Sequence, residues 1–234
     1  MTCAYPRDNA GRPVPGGIAP GASGGRALRG CCGRTRRGGF TLIELLVVMA
    51  LMGLLVALIA AGVGQGLRRS RMTTCLSNFR QMGLAVVLFT EENDGKLPGT
   101  SHGTSWTRSL AFYLGSNFVG RCPAVPQHRA RMTYGWNDCL ATNGAGLRVD
   151  LCRTPVATMA MAELAPDQSS EHFHFSGVRG GPARVTPNQF KAEVNVDAHG
   201  TSAGYLFVDG HAENITWPEI QRRLTQNNST FLVP

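Results

Sequence analysis

Residues 42–61 form one apolar run, LIELLVVMALMGLLVALIAA, carrying a single charge at Glu44. At ~1.5 Å per residue such a helix is roughly 30 Å long, the thickness of a bilayer core. Three glycines follow (62, 64 and 66), a soft spot costing about 1 kcal/mol each relative to alanine in a helix. From there the pattern turns amphipathic. Met72, Cys75, Leu76, Phe79, Met82, Val86 and Phe89 recur three and four apart, with Arg68, Arg69, Arg71, Asn78 and Arg80 between them. The periodicity predicts a helix continuing to about Glu92, stopped by the turn residues Asn93-Asp94-Gly95.

Residues 96–155 are broken up by Gly, Pro and Asn. One short helix is predicted at 106–114, and Cys122-Pro123 and Tyr134-Gly135-Trp136-Asn137 read as loop anchors. Strands are predicted at 156–164, 172–175, 193–196, 204–208 and 212–216. The last two flank Asp209-Gly210 and so form a β-hairpin. A terminal helix over 218–224 begins on Trp217-Pro218-Glu219, where proline suits the first turn. The expected fold is α+β, with one long helix packed along its second half on a small antiparallel sheet. Four segments follow: a basic leader (1–39), a membrane helix (40–63), an amphipathic stem (64–93) and a head (94–234).

The net charge of +8 changes meaning once it is located. Residues 1–39 hold seven Arg and one Asp, whereas the rest carries 16 basic and 14 acidic residues. The basic balance belongs mostly to the leader, so it is no argument for nucleic acid as a partner. The Arg34-Thr35-Arg36-Arg37 cluster before the apolar run favours a cytoplasmic leader and a head on the far side. The leader is rich in Gly, Pro and Arg, shows no apolar period, and is long for a targeting segment.

Glu44 gives the apolar run its character. A charged side chain in mid-membrane costs on the order of 2.5–3.5 kcal/mol on insertion scales, so it needs a compensating partner or proton. Gly38-Gly39-Phe40-Thr41-Leu42-Ile43-Glu44 and the run after it resemble the prepilin leader of type IV pilins and type II secretion pseudopilins. The resemblance implies cleavage between Gly39 and Phe40 by a prepilin peptidase, with methylation of the new amino terminus. Glu44 becomes the fifth residue of the mature chain. The ammonium at Phe40 of one subunit would then neutralise Glu44 of its neighbour and set their register. Implied partners are the peptidase, identical or related pilin subunits, a secretion or pilus assembly platform, and the inner membrane.

A second resemblance covers nearly all of residues 38–216. It rests on Cys75-Leu-Ser-Asn-Phe-Arg-Gln-Met-Gly-Leu, Glu92-Asn-Asp-Gly-Lys-Leu-Pro, Arg121-Cys-Pro and Met132-Thr-Tyr-Gly-Trp-Asn. It continues in Ala162-Glu163 and in His199 followed nine residues later by Asp209-Gly210. These features are similar to a pilin-like family of planctomycete and verrucomicrobial genomes with a C-terminal H-x9-D-G motif. Gly204-Tyr205 departs from it, since an Asn is expected shortly before the strand.

Two readings of the motif compete. In the structural one Asp209 and Gly210 make the hairpin turn and His199 hydrogen-bonds to Asp209 or Glu163. In the other, His199, Asp209 and His211, with His172, His174 and Glu163, form a metal or catalytic centre of an exported hydrolase or metal-binding protein. Residues 34–62 would then be a plain signal peptide, although ~20 apolar residues exceed the usual 7–15 of such a core. Calcium at Asp209 lacks the acidic neighbours such a site needs.

The structural reading is preferred: no enzyme, no catalytic residue, no cofactor and no metal. No G-x-S-x-G, H-E-x-x-H or phosphate loop occurs, and residues 177–181 read as a plain loop. Of seven cysteines, Cys3, Cys31 and Cys32 lie in the leader. Cys75, Cys122, Cys139 and Cys152 lie beyond the span, where disulfides in any of three pairings, or free buried thiols, are open. They have no C-x-x-C spacing, which argues against a zinc ribbon.

Overall fold

A computed structural model describes residues 39–100, 105–115, 120–126, 128, 132–178, 185–226 and 229–234. The Arg-rich cluster and the leader cysteines lie outside the described residues, as does most of the loop expected at 177–181. The chain divides into two compact units, residues 1–49 and 50–234.

The first unit contains the start of helix α1 (Leu42–Glu92). Its large side chains, among them Phe40, Leu42 and Ile43, are exposed. The helix opens on a capping box. Thr41 donates its N–H and its hydroxyl to Glu44 Oε2, at 2.8 and 2.9 Å, and Glu44 returns its N–H to Thr41 Oγ1 at 3.3 Å. A Thr-x-x-Glu pair of this kind satisfies donors that the first turn otherwise leaves open.

In the second unit α1 continues unbroken through Gly62, Gly64 and Gly66 to Glu92. It ends where the Gly95 N–H reaches back to the Thr90 carbonyl at 2.9 Å. The helix is long and apolar enough to cross a membrane, and the large side chains of its apolar half are exposed. Farther along, Cys75, Phe79, Met82, Ala85 and Val86 turn one face inward and are fully buried. Predicted helix and observed helix therefore agree in extent, and the amphipathic stripe is the face that packs.

Helix α2 (Trp106–Leu114) is capped by the Ser105 side chain, which accepts from the Arg108 N–H. Next come β1 (Tyr134–Trp136), a two-residue hairpin of β2 (Ala141–Thr142) and β3 (Ala145–Gly146), and β4 (Met159–Glu163). Helix α3 (Pro187–Glu193), β5 (Ser202–Phe207), β6 (Ala212–Thr216) and α4 (Trp217–Thr225) complete the unit. The main sheet is antiparallel throughout, in the order β1-β4-β5-β6. Tyr134 faces Glu163, Ala162 faces Tyr205 and Leu206 faces Ala212.

Strand alternation sends side chains to two cores. Met161, Leu206, Tyr134 and Trp136 join the α1 stripe and Trp106 and Leu110 of α2 on one face. Met159, Ala162, Ala203, Tyr205 and Phe207 join Phe173, Phe175, Phe190 of α3, Ile220 of α4 and Phe231 on the other. The α+β class and the helix-on-sheet arrangement are as expected. The second layer, on the far face, is not something the hydrophobic pattern announced.

Four expectations need correction. Tyr134-Gly135-Trp136 is an edge strand rather than a loop anchor, because its backbone pairs with β4. The segment predicted as a strand at 172–175 touches β1 through one parallel bridge, Trp136 to His172, and forms no strand. Glu193 ends α3, and Val194 meets Leu164 in a single bridge, so no strand runs over 193–196. The strand predicted from 156 begins only at Met159, after a turn.

Candidate functional site

The amino-terminal site is simple in geometry. Gly39 and Phe40 are exposed and precede the first helical residue, Leu42, so the bond between them lies in non-helical, accessible backbone. Glu44 sits one turn in, satisfied by Thr41 of its own chain. These hydrogen bonds leave the carboxylate's charge, for which the sequence called for a partner or a proton, without a counter-charge from Thr41.

The C-terminal motif divides into two places. Asp209 and Gly210 make the β5–β6 turn: the Gly210 N–H donates to the Phe207 carbonyl at 3.0 Å, and the Phe207 N–H donates to the His211 carbonyl at 3.0 Å. Gly210 has φ of 89°, left-handed backbone that favours glycine, and a Cβ there would press on Val87 of α1. Its partner across the interface is Gly83, where any side chain would collide with the Gly210 carbonyl. The turn is thus seated directly on the stem helix. Asp209 Oδ1 takes the His211 N–H at 3.1 Å and bonds His211 Nδ1 at 2.6 Å, all at the surface.

His199 goes elsewhere. Its backbone N–H holds the Ser202 carbonyl at 2.9 Å, which closes the loop before β5. Its ring turns inward with 2% of the side chain exposed, and Nε2 stands 2.9 Å from Oε1 of the fully buried Glu163. Of the two partners expected for His199, Glu163 is the one it meets. The set His199, Asp209 and His211 is therefore not one centre. His172 and His174 lie 4.9 Å apart between ring centres, tilted by 51°, and His174 Nδ1 meets Glu193 Oε2 at 3.3 Å.

Around His199 and Glu163 the fold gathers two cysteines. Cys75 comes from the buried face of α1 and Cys122 from the loop between α2 and β1. They form a disulfide with Cα atoms 5.5 Å apart across 47 residues of sequence. It ties stem to head, and closing a loop of this size contributes on the order of 3–4 kcal/mol in chain-entropy terms. Cys139 and Cys152 are buried free thiols. Burial, with Asp138 alongside, pushes the Cys139 thiol well above the usual range.

Gly204 is required by the stem. A Cβ at that position would stand 2.5 Å from the Phe79 ring. The Gly204 N–H also fixes Glu163 Oε2 at 2.9 Å.

The sequence left Cys75–Cys122 open among three pairings and His199–Glu163 as one of two alternatives, and the fold selects both. The only available hint was that Cys75 fell on the apolar stripe of the stem while Cys122 began a tight Cys-Pro turn.

Comparison with known proteins gives one positive finding: residues 34–60 match the family described as the prokaryotic N-terminal methylation motif. No curated protein and no solved structure matches the chain. The methylation motif, together with an exposed apolar helix long enough to span a bilayer, supports a prepilin-like, membrane-anchored subunit.

Proposed function

We propose that the chain is a precursor subunit of a type IV pilus-like filament or a type II secretion pseudopilus. A prepilin peptidase removes residues 1–39 and methylates Phe40. The apolar half of α1 holds the subunit in the inner membrane, leader cytoplasmic and head periplasmic or extracellular, until an assembly platform packs it beside identical or related subunits. The carrying observation is the coincidence of the methylation motif over residues 34–60 with an apolar helix that is exposed among the described residues. Gly53 has open space around it and permits close helix approach.

Glu44 has two separable jobs in this account. As the third residue of the helix it caps its own Thr41; as a charge it meets the Phe40 ammonium of a neighbour. Glu44→Gln separates them, because a Gln at that position keeps the capping box and loses only the charge. The expected result is normal trimming and membrane retention with filament incorporation reduced at least tenfold, scored by shearing and immunoblot. Incorporation at the wild-type level from correctly trimmed Glu44→Gln protein would overturn the charge-pair role.

A further inference from the structure

The surroundings of the Cys75–Cys122 pair are richer than a cross-link requires. Both sulfurs, a Glu163 oxygen and a His199 ring nitrogen lie within 4.8 Å of one another. Nε2 of His199 is 3.7 Å from Cys122 Sγ and 2.9 Å from Glu163 Oε1. Ligands on a tetrahedron with zinc bond lengths stand roughly 3.3–3.8 Å apart, so small side-chain adjustments bring these donors onto one.

Three of the four donors, Cys75, Cys122 and Glu163, also have support behind them. The Ala124 N–H points at Cys122 Sγ from 3.4 Å. The Tyr134 oxygen accepts from Asn78 Nδ2 at 3.0 Å, which leaves the tyrosine's own proton for Cys75 Sγ, 3.5 Å away. Gly204 anchors Glu163 Oε2 and leaves Oε1 facing His199. Donors aimed at sulfur favour a thiolate far more than a disulfide, because only the thiolate carries charge. His199 Nδ1 has no hydrogen-bond partner among the described residues, so the ring's polar contacts all lie on its Nε2 side, toward the cluster. A disulfide alone needs neither a buried carboxylate nor a buried imidazole beside it, and burying that pair is costly.

We infer that Cys75, Cys122, Glu163 and His199 bind one Zn²⁺ when the cysteines are in the dithiol form, through Sγ, Sγ, Oε1 and Nε2. Disulfide and metal are then alternative ways of fastening the stem to the head. A dithiol reductant converts one to the other: it becomes a disulfide while two electrons and two protons pass to Cys75 and Cys122. Zn²⁺ then displaces the two thiol protons to solvent. Two thiolates and a carboxylate against the dication leave one net negative charge. Arg68 and Arg71 line the cleft of about 180 Å³ that opens on His199, where they balance it. The two sulfurs and one imidazole select zinc over calcium or magnesium.

The inference is independent of the filament reading, and its test leaves processing untouched. The full processed chain in detergent is reduced anaerobically with a phosphine, freed of reductant and titrated with Co²⁺, then with Zn²⁺. Expected is one Co²⁺ per chain with a thiolate-to-cobalt charge-transfer band and tetrahedral visible bands, displaced by one Zn²⁺. Oxidised protein should show none. Cys75→Ser and Cys122→Ser should abolish the band, and Glu163→Gln and His199→Gln should weaken binding at least about tenfold. If reduction unfolds the head, added Zn²⁺ must restore its circular dichroism. Reduced chain that takes up no metal, fails to refold with it, or binds equally in all four variants would overturn the assignment.

Discussion

Large apolar side chains in the two halves of α1 meet opposite fates. Leu42, Leu54 and Ile59 are 81%, 60% and 62% exposed, whereas Phe79 and Met82, farther along the same helix, are fully buried. Apolar side chains of this size contribute roughly 1.5–3 kcal/mol each when removed from water. In the stem half that gain is collected inside the chain, against Tyr134, Trp136, Met161 and Leu206. In the first half none of the described residues covers it, and contiguous apolar surface of that extent marks a membrane or a partner. The difference shows why the stem half carries a narrow stripe and the first half is apolar on every side: one faces a sheet, the other a solvent that is itself apolar.

Substitutions break this comparison in opposite directions. The largest effect belongs to Phe79→Ala, which removes the ring stacked edge-on against Tyr134 at 4.9 Å between centres and lying over Gly204. It should destabilise the head by about 3–5 kcal/mol in urea unfolding, with membrane retention unchanged. Leu54→Lys should do the reverse. It adds about 2.5–3.5 kcal/mol to the cost of the membrane helix and releases protein from the membrane fraction, while the unfolding midpoint of the head stays where it was. Leu84→Ser, on the exposed side of the stem at 62% exposure, should change head stability by no more than about 0.5 kcal/mol. Equal effects of Phe79→Ala and Leu84→Ser would mean that the stem does not pack as described.

What could be read from the residues depended on whether the signal was local. Helices α1, α2 and α4 announced themselves through periodicity, the Asn-Asp-Gly stop and Pro218. The β5–β6 hairpin followed from Asp209-Gly210 between apolar runs. Helix α3 was missed although its start is written in Thr186-Pro187-Asn188-Gln189. The Thr186 hydroxyl accepts from the Gln189 N–H and Gln189 Oε1 from the Thr186 N–H, a full capping box. Its seven residues were too short for apolar periodicity to show.

Strand β1 was missed because three residues centred on Gly135 resemble a turn until β4 pairs with them. The alternating His172-Phe173-His174-Phe175 misled in the other direction. Phe173 and Phe175 are buried as a strand's would be, but the segment's bridge is to Trp136 alone. The cluster of Cys75, Cys122, Glu163 and His199 draws on a helix, a loop, a strand and a second loop. No spacing along the chain encodes such a meeting, which only the packed fold produces.

The central claim is that the uncovered half of α1 remains on the mature protein and begins at a specific bond. Mass spectrometry of the protein extracted from membranes, with fragment ions covering its amino terminus, tests it most directly. The account predicts a chain starting at N-methylated Phe40 and retaining residues 42–61. A chain beginning beyond Gly62, with the apolar helix gone, would contradict it.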